Sequence, residues 1–146
     1  MEPYSTHIEA LTIAALNTPG DILELGCGHY STPILAAIAK HRGDRFSIKS
    51  SSEEWSTQFK RVADVEIVDW DTWVPEGNWG LVMLDNEQLT RDRILWLPKL
   101  QKICKTIVMH DADASMSHPN YGEMISGFAG MELYAKHTPW TAIFTC

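Results

Sequence analysis

A short apolar run that ends in two glycines constrains this chain more than any other feature of its sequence. Residues 22 to 25, Ile-Leu-Glu-Leu, have the length and composition of a buried strand, and Gly26 and Gly28 follow directly. Because glycine has no Cβ, the chain can turn tightly there and a ligand can approach its main chain. A helical pattern then begins, and the Ser31 and Thr32 hydroxyls supplement the unpaired N–H groups of its first turn. The segment predicts half of an α/β nucleotide-binding unit.

Composition limits the classes of protein to which the chain belongs. Its 146 residues suit one domain that spans residues 1–146. The net charge of -7 and the lack of a Lys/Arg run predict no nucleic-acid partner and no anionic membrane partner. The sequence has no apolar run of the ~20 residues that a membrane span needs. The scattered Cys27, Cys104 and Cys146 predict free thiols, so we expect a cytoplasmic protein.

Strand and helix patterns alternate along the chain, and this order predicts the fold. Apolar runs predict strands at 22–25, 45–49, 65–68, 81–84, 106–109, 132–136 and 141–145. Periodic segments predict helices from a Ser5 or Thr6 cap to residue 16, and at 32–41, 55–61, 90–102 and 121–128. Five βα-type steps followed by a hairpin predict an α/β fold. The expected architecture is a Rossmann-like, doubly wound, seven-stranded sheet, mostly parallel, with a C-terminal antiparallel hairpin and helices on both faces.

Three segments resemble motifs of the class I S-adenosylmethionine-dependent methyltransferases. Residues 23–28, Leu-Glu-Leu-Gly-Cys-Gly, are similar to the first motif of that family, and residues 79–85 are similar to its fourth-strand motif. Residues 106–111 are similar to the fifth strand of its small-molecule O-methyltransferases. The resemblance implies a seventh strand that enters antiparallel beside the fifth. It also implies S-adenosylmethionine as cofactor and methyl transfer to an oxygen of a small-molecule acceptor.

The resemblance also implies where the methyl donor binds. Glu24 is expected near the methionine amino group, and Tyr30 either covers the methionine moiety or packs against the N-terminal helix. From their place after strand three, Trp70 and Trp73 are candidates to stack on the adenine, with Asp69 or Asp71 accepting a hydrogen bond from its amino group; simple packing of the rings is the alternative. The complete predicted donor site is Glu24, Gly26, Gly28, Tyr30, Ser31, Thr32, Ser50, Asp69, Trp70 and Asp85.

Carboxylates follow strands four and five, where a parallel sheet gathers its ligand-binding residues. Asp85 and Asp111 each come directly after an apolar strand, and by the resemblance both fall at metal-ligand positions. Asp113 is a third candidate oxygen ligand, and such a set suits Mg²⁺ or Ca²⁺, whereas His110 would suit a softer metal. Alternatively, these acids cap the following helix and loop. Asp85 and His110 are the candidate catalytic acid/base residues, because both lie at the ligand edge of the sheet.

Two departures from the family pattern leave other functions open. Lys49 stands where an acid usually accepts hydrogen bonds from the ribose, and Ser50 is the first of three serines that follow it. Gln88 stands near the place of a basic lysine in the catechol-type enzymes. One alternative is therefore a degenerate methyltransferase fold that acts as a binding or assembly module, and another is an NADP-binding protein. The chain has little insertion to enclose an acceptor, so an open site or a homo-oligomer that completes it is expected.

Overall fold

Seven strands form one sheet in the computed structural model, which describes residues 2–146. The strands are β1 (Ile22–Leu25), β2 (Phe46–Ser50), β3 (Asp64–Ile67), β4 (Trp79–Leu84), β5 (Cys104–His110), β6 (Gly130–Tyr134) and β7 (Thr141–Thr145). Their order across the sheet is β3-β2-β1-β4-β5-β7-β6. The first five strands are parallel, and β7 runs antiparallel to both β5 and β6. The predicted fold class and the antiparallel seventh strand are confirmed.

Helices cover both faces of this sheet. They are α1 (Ile8–Asn17), α2 (Ser31–Arg42), α3 (Glu53–Ser56), α4 (Leu97–Leu100), α5 (Ala112–Ser115) and α6 (Tyr121–Ile125), with 3-10 helices at Pro3–Ser5, Thr57–Phe59 and Thr90–Trp96. On one face, Leu11 of α1 and Leu35 of α2 pack on the sheet. On the other face, Trp96 and Leu97 pack with Phe144 of β7. Strands β1 and β4 are buried along their whole length, as expected of central parallel strands.

The helix predicted at 90–102 is wrong in type and extent. Residues 90–96 form a 3-10 helix, and the Leu97 N–H still donates to the Ile94 carbonyl three residues before it. Pro98 then lies in the first turn of the short α4, where its missing N–H is tolerated. Apolar spacing alone did not distinguish this tighter winding from an α-helix.

The other helix boundaries also need correction. The N-terminal helix begins at Ile8 rather than at a Ser5 or Thr6 cap, because the Ser5 hydroxyl donates to the Glu2 carbonyl and the Thr6 hydroxyl donates to the Pro139 carbonyl. The helix predicted at 55–61 is divided between α3 and a 3-10 turn, and the one at 121–128 ends at Ile125. Five strands differ from their predicted bounds by one or more residues, whereas β1 and β7 match theirs.

Gly26 is required by the close approach of another part of the chain. Its φ is 80°, and a Cβ at this position would lie 2.1 Å from the Asp85 carbonyl oxygen. The loop after β4 therefore crosses directly over the end of β1. The sequence predicted a ligand at this glycine, whereas the protein's own backbone occupies the space beside it.

Two of the three cysteines lie near each other in the folded chain. The Cys104 and Cys146 Sγ atoms are 3.8 Å apart, and all three thiols are free. Among residues 2–146, no helix has the length and apolar character needed to cross a membrane.

Candidate functional site

A cavity of about 770 Å³ opens at the carboxyl ends of the central strands. Its walls are the loop after β1 (Cys27–Ser31), the loop after β4 (Asp85–Glu87), the end of β5 (His110 and Asp111), the N-terminal residues Pro3, Tyr4 and His7, and Trp55, Thr90, Arg93 and Pro139. A second groove of about 690 Å³ lies beside α2 and the start of β3. None of the predicted site residues lines that second groove, so we place the candidate site in the first.

Six of the predicted site residues line this cavity. They are Gly28, Tyr30, Ser31, Asp85, His110 and Asp111. The strand order explains their convergence, because β1 lies between β2 and β4, and β4 pairs with β5. Tyr30 is 39% exposed, so its ring is partly available to a ligand.

The carboxylates that follow β4 and β5 share one arginine. Arg93 Nη1 lies 2.8 Å from Asp85 Oδ1 and also bonds to Asp111 Oδ2. The same side chain donates from Nη1 to the His110 carbonyl at 3.3 Å and from Nη2 to the Asn86 carbonyl at 2.9 Å. Only 6% of Arg93 is exposed. The guanidinium is therefore a fixed part of the site.

The protonation of Asp85 follows from these neighbours. Burial alone would raise the pKa of its carboxyl, but the hydrogen bond from His110 and the charge of Arg93 outweigh burial and lower that pKa. Asp85 is thus an anion and a poor proton acceptor. Asp111 adopts a left-handed backbone conformation, with φ 56° and ψ 38°, which turns the chain sharply after β5.

His110 is oriented by the N-terminal segment. Thr6 Oγ1 donates to the Pro139 carbonyl at 2.8 Å and lies 3.2 Å from His110 Nε2. The tautomer of His110 decides whether Nε2 accepts from Thr6 Oγ1 or donates to it. His110 Nδ1 faces Asp85 Oδ1 at 3.5 Å and Asp111 Oδ2 at 3.7 Å.

His7 packs edge-on against His110, with the ring centroids 4.5 Å apart. Burial, followed by the proximity of His110, lowers the pKa of His7 to about 4. Within residues 2–146 neither ring nitrogen of His7 has a hydrogen-bond partner. His7 is therefore a neutral imidazole in the cavity wall.

Asp113 lies apart from the Asp85–Asp111 pair. Its Oδ1 accepts from the Trp140 N–H at 2.9 Å and so fixes the start of β7. This contact is not the cap of the following helix and loop that the sequence left as the alternative to metal binding. Gln88 is also committed elsewhere, since its Oε1 accepts from the Trp96 Nε1–H at 2.7 Å.

Glu24 lies beneath the glycine loop and is fully buried. Ser31 Oγ donates to its Oε1, and Thr32 Oγ1 donates to its Oε2 at 2.7 Å. Thr32 Oγ1 also accepts from the Gly28 N–H at 3.0 Å. Burial raises the pKa of Glu24 to about 8 against the opposing effect of the two hydroxyls. The predicted Glu24, Ser31 and Thr32 thus form one network that shapes the loop from below.

At the end of β2, Lys49 and Ser50 each contact an acid from a neighbouring segment. Lys49 forms an ion pair with Glu66, its neighbour on β3. Ser50 Oγ donates to the carboxylate of Glu87, which also accepts from the Ser51 N–H at 3.3 Å and from Trp70 Nε1 at 2.9 Å. Glu87 therefore brings an acid from the loop after β4 to the place where β2 lacks one.

Trp70 is buried in the protein interior, whereas Asp69 is exposed and bonds within its own turn. Trp70 is 7% exposed, and its ring lies 5.7 Å from Trp73 and 5.8 Å from Trp96, between centroids. Asp69 Oδ1 accepts from the Asp71 N–H at 3.0 Å. Neither side chain lines the cavity in this structure.

Sequence reasoning missed Arg93, Glu87 and His7. For Glu87 a signal existed, because an acid two residues after Asp85 must lie near the carboxyl ends of the neighbouring strands. Arg93 and His7 gave no comparable signal, since each belongs to a segment whose position over the sheet edge is set by tertiary packing.

Similar architectures occur among solved structures of methyltransferases. The N-terminal domain of EvdMO1, determined in the presence of S-adenosylhomocysteine (SAH) and D-fucose, has a TM-score of 0.66 and 15% identity over 100% of this chain and 84% of its own. Cofactor-bound Rv0187 from MTB has a TM-score of 0.60 and 19% identity, covering 99% and 90% of the two chains. The 23S rRNA methyltransferase ErmE has a TM-score of 0.59 and 13% identity, covering 94% and 68%.

Sequence comparison adds nothing to this likeness. No protein-family model matches the chain, and no curated protein matches its sequence. At identities below 20%, the similarity to the solved structures is one of fold.

Proposed function

We propose that this chain, which has the fold of the class I S-adenosylmethionine-dependent methyltransferases, transfers a methyl group from S-adenosylmethionine to an oxygen of a small-molecule acceptor. The observation that carries the proposal is the cavity at the carboxyl edge of the 3-2-1-4-5-7-6 sheet. The glycine loop forms one wall of this cavity, and Asp85, His110 and Asp111 form another. Ligands of parallel α/β sheets bind at such an edge, near the point where strand order reverses.

Glu87 supplies the carboxylate that the donor's ribose requires. It lies at the end of β2, where Ser50 and Trp70 orient it through hydrogen bonds. A carboxylate oxygen has more than one lone pair, so Glu87 can accept from ribose hydroxyls while it keeps these partners. On this arrangement, Lys49 has no contact with the donor and instead stabilises the pairing of β2 with β3.

His110 is the proton acceptor in the proposed reaction. Its Nε2 lies 3.2 Å from Thr6 Oγ1, and two carboxylates lie within 3.7 Å of its Nδ1. The acceptor oxygen attacks the methyl carbon, the C–S bond of the sulfonium breaks, and a neutral thioether leaves. The hydroxyl proton passes to the unprotonated ring nitrogen of His110, and Asp85 and Asp111 stabilise the imidazolium that forms. Most of the rate enhancement comes from alignment of the two reactants.

The lining of the cavity favours an uncharged or cationic acceptor. Arg93 is the one Lys or Arg in the walls formed by residues 2–146, and its charge is already shared by two carboxylates. The exposed rings of Tyr4, Tyr30 and Trp55 offer aromatic contacts at the rim. A phosphate-rich acceptor such as RNA would meet Asp85, Glu87 and Asp111 without a free cation.

One set of contacts favours a second candidate, a binding module without methyl transfer. Trp70 packs inside a tryptophan cluster, and Asp69 bonds within its own turn, so neither is ready to bind an adenine. A chain that kept the fold for assembly would have no need of an adenine pocket. The NADP alternative lacks comparable support, because the ammonium of Lys49 is paired with Glu66.

Calorimetric titration of the full chain separates these candidates. S-adenosylmethionine and SAH should each bind with a stoichiometry of one, and NADPH should give no heat of binding. Lys49→Met is the matched control, and its affinity for SAH should equal that of the unaltered chain. Binding of neither adenosyl ligand would support the binding module, and binding of NADPH alone would overturn the methyltransferase proposal.

A further inference from the structure

Asp85, His110 and Asp111 form the acid cluster of the cavity. These residues have the spacing of a metal site, but the guanidinium of Arg93 lies between the two carboxylates. One ligand atom each from Asp85, His110 and Asp111 lies within 4.8 Å of the others. Two carboxylates and an imidazole are a common set of ligands for divalent metals. However, Arg93 Nη1 already contacts both carboxylates, at 2.8 Å from Asp85 and as a direct hydrogen bond to Asp111.

A guanidinium and a metal ion cannot share this position. Mg²⁺ requires oxygen ligands at roughly 2.0–2.1 Å in octahedral geometry. Both carboxylates that would supply them are turned onto Arg93, and the third predicted ligand, Asp113, accepts from the Trp140 backbone instead. The residues present therefore do not fit a resident Mg²⁺ ion.

Arg93 is held firmly enough to act as a permanent cation. Its side chain is almost fully buried and is anchored by the carbonyls of Asn86 and His110. A buried guanidinium is stable only when it is paired, and two neighbouring carboxylates are stable only with a cation between them. The charges of Arg93, Asp85 and Asp111 are thus mutually dependent.

We propose that Arg93 is a positioning residue whose guanidinium takes the place of a divalent metal in this cluster. It fixes the two carboxylates against His110 Nδ1, so the protein needs no metal to orient that base. The cluster itself is a masked cation site: once the guanidinium is removed, Asp85, His110 and Asp111 bind a divalent ion. The role in orienting His110 rests on the proposed function, whereas the masked site does not.

Manganese binding tests the masked site without any reference to activity. The electron paramagnetic resonance signal of free Mn²⁺ falls when the ion binds to protein. The unaltered chain and Arg93→Lys should leave the signal unchanged at this site. Arg93→Met, which has a similar length and no charge, should bind one Mn²⁺ at least about tenfold more tightly than the unaltered chain. Adding Asp111→Asn to Arg93→Met should abolish that binding.

The same experiment covers a variant that folds poorly. If Arg93→Met or the second variant, Arg93→Gln, is unfolded alone, Mn²⁺ should restore its circular dichroism and raise its melting temperature. Failure of both variants to fold in saturating Mn²⁺, or folded variants that bind no Mn²⁺, would overturn the proposal. Equal Mn²⁺ affinity in the unaltered chain and Arg93→Met would also overturn it, because Arg93 would then not mask the site.

The role of Arg93 in orienting the base needs a separate measurement. Methyl transfer by the unaltered chain should be insensitive to EDTA, and Arg93→Met should lower kcat more than it changes KM for the acceptor. Mn²⁺ should restore part of the lost kcat in Arg93→Met. Inhibition of the unaltered chain by EDTA, or a lost kcat that Mn²⁺ does not restore, contradicts this role. If the chain binds no methyl donor, the proposed function fails while the Mn²⁺ experiment still decides the masked site.

Discussion

Because the pKa of the Glu24 carboxyl is raised, we expect the stability of the protein to fall as the pH rises. Among residues 2–146, Glu24 is the one Asp or Glu that is fully buried. Its carboxyl has a pKa of about 8 rather than 4.5. Between these two values the folded protein keeps a proton that the unfolded chain has released. Raising the pH across this range therefore favours unfolding, and above about pH 8 the effect is complete, since both states are then ionised.

The size of the effect follows from the two pKa values. Each pH unit between 4.5 and about 8 changes the free energy of unfolding by ~1.4 kcal/mol, which gives an upper limit of ~5 kcal/mol. Relaxation around the ionised carboxylate reduces this value. Glu24→Gln removes the titration but keeps the shape and one acceptor for Ser31 or Thr32. We expect the variant to gain stability over the unaltered chain by ~2–5 kcal/mol as the pH rises across this range.

Urea unfolding at closely spaced pH values, followed by circular dichroism, measures this difference. Glu132→Gln is the matched control, because it makes the same change on an exposed strand position. Its stability should follow that of the unaltered chain at every pH. If the curves for Glu24→Gln and the unaltered chain run parallel between about pH 4.5 and 8, the assignment of a raised pKa to Glu24 is refuted.

Three further substitutions test the donor site, the turn at Gly26 and the ion pair between β2 and β3. Glu87→Gln should weaken SAH binding about tenfold, or ~1.4 kcal/mol, because a charged acceptor for the ribose becomes neutral; calorimetry checks this, and unchanged affinity would remove Glu87 from the donor site. Gly26→Ala should cost more than ~3 kcal/mol of folding free energy, since its Cβ would meet the Asp85 carbonyl oxygen at 2.1 Å; urea unfolding that shows a loss below ~1 kcal/mol would contradict the close approach. Lys49→Met should cost less than ~1 kcal/mol by the same assay, as expected for its partly exposed ion pair with Glu66, and a larger loss would mean that the pair matters more to the sheet edge.

The central strands β1 and β4 could be predicted from the sequence because burial on both faces leaves a clear signal. The run at residues 22–25 is apolar apart from Glu24 and stands between polar and glycine residues, so β1 was placed with its observed bounds. The helix at 90–102 was predicted wrongly, because apolar spacing is similar in α- and 3-10 helices over two turns. Pro98 lies just after the observed 3-10 helix, in the first turn of α4, and the tighter winding before it packs against α5.

The meeting of Asp85, His110 and Asp111 was predictable, because each lies at the carboxyl end of a parallel strand. Arg93 was not, since a charged residue in a predicted helix is ordinarily exposed. Its burial depends on how the segment that carries it crosses the ends of β4 and β5.

Amide chemical shifts of the ¹⁵N-labelled chain during titration with SAH show whether this cavity binds the methyl donor. We expect the largest chemical-shift changes at Gly28, Tyr30, Asn86 and Glu87, which line the cavity at the ends of β1 and β4. Residues of the groove beside α2, such as Lys60 and Ala63, should not shift and serve as the internal control. No change at saturating SAH, or changes confined to that groove, would contradict a methyl-donor site in this cavity.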